Sequence, residues 1–386
     1  MEFDLGWILL GLPMAFALGW LASRLDLRQL RIENRQAPKA YFRGLNYLLN
    51  EQQDQAIDAF IEAVQKDPDT SELHFALGNL FRRRGEYERA VRVHEHLLSR
   101  ADLSRGDHER AQHALALDFL KAGLLDRAED DLHKLEGTRY QDQAWLTLLT
   151  LHERSRSWPQ AADMAARLQQ AGQGDFSVRL AHYQCEQAEQ ALHKNGDAAA
   201  ARQLLERAIA STPQAARPHI QLAGMLAAAG DASGAFDRLL QLQTHAPQAV
   251  PLIASEWVRL GRLSARLPQA RQQLEDSYAQ TPSIDVADAL VQARVAAGAP
   301  MQQAREGYVQ HMAQEPSLIA ASRWLSHEPF AHDAVHATVQ RSVEHAVRPL
   351  ARYRCAACGF EAQGYFWQCP GCQAWESFPP RRIEEL

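Results

Sequence analysis

Four prolines, Pro213, Pro247, Pro282 and Pro316, are spaced by 34, 35 and 34 residues. No other feature restricts the fold of this chain as strongly, because a fixed period of that length requires one supersecondary unit to be built repeatedly. Each proline stands where a second helix must end. Ala201, Ala235 and Ala304 hold a matching position in their units, and Gly44 and Gly78 are again 34 residues apart. Small residues at such positions let two helices of a unit cross closely. One helical pair cannot bury its apolar face alone, whereas a stack of pairs buries a continuous core and curls into a superhelix.

Gly44, Tyr47, Ala56, Phe60, Ala63 and Pro68, then Leu77, Gly78, Phe81, Gly85, Tyr87 and Ala90, fall at the offsets of a tetratricopeptide (TPR) repeat of two antiparallel helices. Gly123 with Ala128, and Trp145 with Trp158 and Ala161, mark two degenerate units in the ragged stretch 100–180. The spacing predicts an all-α TPR superhelical array over 37–328, with about eight units ending near Pro316. Generic alanine-rich hairpins are the rival reading. Such arrays grip a peptide or partner protein on their concave face. Tyr41, Phe75 and Asn79 are candidate groove residues, and Arg82 and Arg83 extend that candidate partner surface. Asn79, Arg82 and Arg83 suit a clamp for a C-terminal carboxylate, but Leu45 occupies the position where the preceding unit would need Asn. Otherwise the two arginines form a solvated face.

Leu5 to Ser23 is 19 residues without a charge. As a helix it would reach about 28 Å, close to the roughly 30 Å of a bilayer's hydrocarbon core. Trp7 and Trp20 sit near its ends, where aromatic belts form. A cleaved signal peptide would want positive charge before the apolar stretch, yet Glu2 and Asp4 precede it. A buried core helix is the other alternative. Arg24, Arg28, Arg31, Arg35 and Lys39 follow, so the positive-inside rule places the bulk of the chain in the cytoplasm. The expected organisation is a transmembrane anchor at 1–23 and a basic flank at 24–36.

Beyond Pro316 the period fades. Val335, Val339, Val343 and Val347 make a narrow stripe on a connecting helix within 329–349, ended by Pro349. The stripe is expected to pack on the array or on the terminal module. His332, His336 and His345 lie nearby and read as exposed helix polars. Residues 350–386 then hold four of the five cysteines, in "CAACG" and "CPGC". Cys355, Cys358, Cys369 and Cys372 form two C-x-x-C knuckles whose thiolates suit one tetrahedral zinc or iron ion. So small a segment cannot bury enough surface to fold unaided, and metal supplies the missing free energy. Two redox pairs or two disulfides are the alternatives. Iron at these ligands carries one electron, whereas zinc is structural. Tyr353, Phe360, Tyr365, Phe366, Trp367 and Trp375 are expected to form the mini-core and its contact with the helices, and Cys185 reads as a core thiol.

A formal charge of -6 argues against nucleic acid, and the charges of the terminal module balance. No H-E-x-x-H, G-x-S-x-G or Walker loop is present, so no enzyme is expected.

Anchor, basic flank, TPR array and terminal "CAACG…CPGC" module, in that order, resemble the lipopolysaccharide assembly protein B (LapB) family along the whole chain. The terminal motif alone also resembles the zinc ribbon of a bacterial DNA-repair ATPase, whose Walker loop is missing here. The family resemblance implies a rubredoxin-like metal module with Cys355, Cys358, Cys369 and Cys372 as ligands. It implies an adaptor at the bacterial inner membrane that helps the protease FtsH degrade the lipid A pathway deacetylase LpxC, restrained by another inner-membrane protein. Gln373 stands where rubredoxins proper keep Gly, which favours structural metal over electron transfer. From the parts themselves, the expected mechanism has the Val335–Val347 helix dock the module back to complete a substrate- or partner-binding surface. A membrane scaffold for lipopolysaccharide synthesis or export proteins and a tethered electron carrier are the other two readings.

Overall fold

The computed structural model describes residues 39–67, 69–328 and 333–386, together with Phe16 and Trp20. Pro68, His332 and the rest of the expected anchor and flank lie outside the described residues. Among the described residues no helix is long and apolar enough to cross a membrane. The chain divides into two compact units, Met1–Ser157 and Trp158–Leu386.

In the first unit, α1 (39–49), α2 (Gln53–Lys66), α3 (Ser71–Arg84), α4 (Tyr87–Ser99), α5 (Arg105–Ala122), α6 (Leu125–His133) and α7 (Gln141–Arg154) follow one another as neighbouring helices. Their ends are written in the sequence. Gly85 and Gly123 close α3 and α5 in the left-handed conformation, which glycine adopts without a Cβ penalty. Ser104 caps α5 by accepting the Asp107 N–H at 3.1 Å. The periodic glycines mark close crossings: a Cβ on Gly44 would come within 2.9 Å of the Phe60 ring, and one on Gly78 would strike His94. Ala56, Phe60, Ala63 and Ala90 are fully buried.

Three candidates for the partner surface are corrected here. Phe75 is 1% exposed, packed with Leu97 and Ala111 under the Arg110 guanidinium, and is a core residue. Arg82 reaches across to the buried Asp118 carboxylate at 2.8 Å and the Ala114 carbonyl at 3.0 Å. It also donates to Asn79 Oδ1, while His94 Nδ1 pairs with the other Asp118 oxygen. Leaving Asp118 buried without its partners would cost about 3–5 kcal/mol, so this network commits Asn79 and Arg82 to holding helices together. Tyr41 is half-buried, edge-on to Phe60, and Arg83 is exposed.

The second unit runs α8 (Trp158–Gln170), α9 (Ser177–Asn195), α10 (Ala198–Ser211), α11 (Ala216–Ala228), α12 (Ala232–His245), α13 (Val250–Leu263), α14 (Leu267–Gln280) and α15 (Ile284–Ala296). The helix after α15 is broken at Arg305 into α16 (Met301–Ala304) and α17 (Glu306–Gln314), followed by α18 (Leu318–Leu325) and α19 (Asp333–Val347). Pro213, Pro247, Pro282 and Pro316 each lie two residues beyond a helix end, and Ala161, Ala201, Ala235, Ala270 and Ala304 are fully buried. Asp197 and Asp231 cap α10 and α12 through N–H bonds at 2.9 and 2.7 Å.

The valine stripe of α19 divides. Val347 is buried and Val343 partly buried against Ile284, Val291, Tyr308 and Ile319, whereas Val335 and Val339 are 61% and 45% exposed. Half of it therefore packs on the array. The terminal segment adds β1 (Tyr353–Arg354) paired antiparallel to β2 (Glu361–Ala362), a lone bridge between Gln368 and Trp375, and a closing 3-10 turn at Ile383–Glu385. The architecture is an all-helical TPR-like array with a small C-terminal ribbon.

Candidate metal centre and its seat on the repeats

Each C-x-x-C segment turns on backbone hydrogen bonds. Cys355 O accepts from Gly359 N–H at 2.9 Å, and Cys369 O accepts from Gln373 N–H at 2.8 Å. The two turns are alike in conformation, with φ of +78° at Gly359 and +63° at Gln373. Glycine adopts that region freely, while a residue with a Cβ loses about 1–2 kcal/mol there. Gln373 recovers part of this by donating from its side chain to Pro370 O at 3.1 Å. Gln373→Gly is therefore expected to stabilise the module by about 0.5–1 kcal/mol, read as a higher guanidinium midpoint for loss of its near-UV aromatic signal.

The turns bring all four sulfurs within 4.8 Å of one another. Cys355 Sγ and Cys372 Sγ are 3.8 Å apart, and Cys358 Sγ and Cys369 Sγ 3.7 Å. Around a tetrahedral ion with metal–sulfur bonds near 2.3 Å, neighbouring sulfurs stand about 3.8 Å apart; a disulfide brings them to about 2.05 Å. The geometry thus fits one metal ion. So does the electrostatics. At Cys355, desolvation opposes ionisation, but the Ser377 hydroxyl 3.2 Å away and the N–H groups of Cys358 and Ala357 outweigh it and hold the thiol down to about 6. At Cys358 the Phe360 N–H favours the thiolate, yet desolvation and the neighbouring sulfurs push it up to about 12. Four thiolates cannot coexist this closely without a cation among them. Cys185, by contrast, is buried among Ala188, Ala201 and Leu205, where burial pushes its thiol up to about 12 and leaves it unreactive.

Tyr353, Cys355, Cys369 and Phe378 form the buried heart of the module, completed by Tyr365 and by Leu252 from α13. Trp375 stacks on His182 of α9 with centroids 4.8 Å apart and meets Trp158 and Tyr183 edge-on. Trp367 lies against His182 at 5.7 Å. The expectation that these tryptophans pack holds, and the surface they pack on is the repeat array.

At the far end the tail binds helix N-termini. The Glu384 carboxylate accepts from the Leu318 and Ile319 N–H groups and the Ser317 hydroxyl at the start of α18. Glu385 accepts the Ile284 N–H at 2.7 Å at the start of α15. Arg382 clamps Asp285, in the first turn of α15, through two bonds of 2.8 and 2.9 Å. Helix N-termini present unpaired N–H groups and partial positive charge, so carboxylates there stabilise them. The module is thus held by its own aromatics and its own C-terminus, and of the Val335–Val347 helix only the Val343–Val347 end, beside Leu350 and Ala351, packs on the array. Sequence reasoning named the tail's charges only as a balanced set, and nothing local in it marks a residue that caps a helix 65 to 101 positions away.

His182 is fully buried, its Nε2 is 3.2 Å from Glu376 Oε1, and its Nδ1 has no partner. Burial, the larger effect, lowers its pKa, and Glu376 pulls it back part of the way. A histidine whose folded pKa is depressed takes up its proton more readily when unfolded, so its contribution is lost as pH falls below the usual 6.5. Docking is expected to loosen between pH 7.5 and 5.5, seen as a lower melting temperature for the second unit, and His182→Phe should flatten that dependence. His336 bonds the Leu325 carbonyl and His345 is exposed; neither approaches the sulfur cluster.

The rubredoxin metal-binding domain of the LapB zinc-ribbon type matches residues 353–380, and the tetratricopeptide repeat matches residues 73–109. Along its length the chain is 30% identical to lipopolysaccharide assembly protein B of Escherichia coli K12, over 96% of this chain and 97% of that protein. It is 27% identical to the protein of the same name from Haemophilus influenzae, over 97% and 98%. With the repeats, the docked ribbon and its four sulfurs all accounted for within that full-length likeness, the chain belongs to the lipopolysaccharide assembly protein B family.

Proposed function

We propose that this protein acts in lipopolysaccharide assembly as a membrane-tethered adaptor without catalytic chemistry of its own. The observation that carries the reading is the full-length likeness to proteins named for lipopolysaccharide assembly, in a chain whose four-cysteine ribbon is seated on a TPR-like helical array. In the finer form of the proposal, residues 1–23 anchor the chain in the inner membrane with its bulk in the cytoplasm. The array receives the deacetylase LpxC and presents it to the protease FtsH, and another inner-membrane protein restrains it. Confinement to the membrane raises the effective concentration of substrate beside the protease without new contacts.

Cys355, Cys358, Cys369 and Cys372 would hold one ion, and zinc is the proposed occupant. What it supplies is folding free energy for the module. The turn at Gln373 supports this over a one-electron iron site, since the chain departs there from rubredoxins proper. A colourless purified protein with one zinc per chain is the expected result; a red protein that cycles reversibly would replace it with the electron-carrier reading.

The test of the adaptor is the half-life of the deacetylase after translation is blocked, with this protein present and then depleted. Depletion should lengthen it several-fold, and removal of residues 1–23 should do the same. An unchanged half-life, with lipopolysaccharide enzymes still co-purifying, would favour a membrane scaffold instead.

A further inference from the structure

We infer that α9 and α11 form a slot for one large apolar side chain of a partner polypeptide, and that Gly224 keeps it open. The slot has a volume of about 270 Å³, and its lining includes the apolar Leu192, Leu205 and Met225, Gly224, and the polar Gln221, Glu189 and His193. A dry cavity of about 150 Å³ already accepts benzene, so this one holds a Phe or Leu side chain with room to spare.

Gly224 is the informative residue. A glycine inside a helix costs about 0.8–1.0 kcal/mol relative to alanine, and four other helix glycines among the described residues have a packing reason for it. A Cβ on Gly44, Gly78, Gly261 or Gly307 would run into a neighbouring side chain within 3 Å. A Cβ on Gly224 would meet nothing within 4 Å, the one helix glycine among the described residues of which this is true. The stability given up at Gly224 is unexplained by packing and explained by the slot, whose wall a methyl group would fill.

The polar atoms define the occupant. Gln221 donates from its Nε2 to Glu189, which leaves its buried Oε1 without a donor. A backbone N–H beside the inserted side chain supplies one. Glu186 and Glu189 share the single Arg217 guanidinium, at 2.7 and 3.1 Å, so this cluster carries an excess negative charge. The fitting partner is a polypeptide segment with a large apolar residue next to Lys or Arg. The inference rests on the adaptor reading only in that the array receives a polypeptide. Its test involves neither protease nor deacetylase, so either can fail without the other.

The experiment uses the full chain in nanodiscs with ¹³C-methyl methionine. Met225, assigned by its loss in Met225→Leu, is one of six methionines and reports on the slot. The probe is N-acetyl-phenylalanyl-lysinamide. It should shift the Met225 methyl saturably and bind more tightly than N-acetyl-phenylalanyl-glutamate amide. Gly224→Ala should weaken it about tenfold while raising the melting temperature by about 2–4 °C, and Gly224→Leu should abolish the shift. An unmoved Met225 signal, equal binding by Gly224→Leu, or no rise in melting temperature for Gly224→Ala would overturn the inference. So would octanoate binding as tightly as the peptide, which would make the slot an acyl-chain site. A Met225 shift that follows protein concentration alone would assign it to a second copy of the chain.

Discussion

Cys369→Ser is expected to empty the metal site, unfold residues 350–386 and leave most of the helical signal in place. Cys369 is wholly buried and shares the module's heart with Tyr353, Cys355 and Phe378. The regular structure of that segment amounts to two strands of two residues, one bridge and a 3-10 turn. Structural zinc contributes about 10–16 kcal/mol in small thiolate domains, far more than so small a core could replace. The helices of the array bury their own alanine crossings and do not depend on the sulfurs. The variant should therefore bind no stoichiometric metal, lose the near-UV signal of Trp367 and Trp375, and keep nearly all of its far-UV helix signal. A variant that holds one metal per chain with its aromatic signal intact would show that three thiolates suffice and that the fourth is dispensable.

Phe378→Ala should separate docking from metal binding. Phe378 is 1% exposed, rings with Tyr365 and Phe366 at 6.3 and 6.0 Å, and belongs to the cluster that Leu252 of α13 completes. Removing a buried phenylalanine costs about 3–5 kcal/mol in lost burial and residual cavity. Phe378 lies outside both cysteine turns, so the sulfurs keep the backbone that positions them. The expected protein retains one metal but exposes the module to limited proteolysis between residues 347 and 353, where the parent resists. Loss of metal together with docking would instead make the array part of the metal site's own folding unit.

Much of the array could be read ahead of the structure because its determinants are local and periodic. Pro213, Pro247, Pro282 and Pro316 end helices by lacking an N–H, and the alanines mark crossings wherever they recur. Gly44 and Gly78 were visible for the same reason. The four ligands were likewise readable, since the C-x-x-C turn is a local backbone motif. What was not visible depends on contacts between distant positions. Phe75, Asn79 and Arg82 looked like a groove by their place in the repeat, yet the buried Asp118, 36 residues after Arg82, draws that arginine inward. Half of the α19 stripe finds the array and half does not, because periodicity records an apolar face without saying how far its partner extends. Glu384 and Glu385 read as part of a balanced tail, and only the fold brings them to the starts of α18 and α15.

The metal module is a structural part of the array, seated through Trp375 on α9 and through its tail on α15 and α18. Hydrogen exchange tests it most directly at the amides of Ile284, Leu318 and Ile319, which donate to Glu385 and Glu384. The measurement compares the metal-loaded full chain with the same protein after chelation. Protection at the peptides holding these amides should fall by at least tenfold on chelation, with peptides of α3 and α4 unchanged. Equal protection before and after chelation would contradict the claim, leaving the module as an appendage that the array does not need.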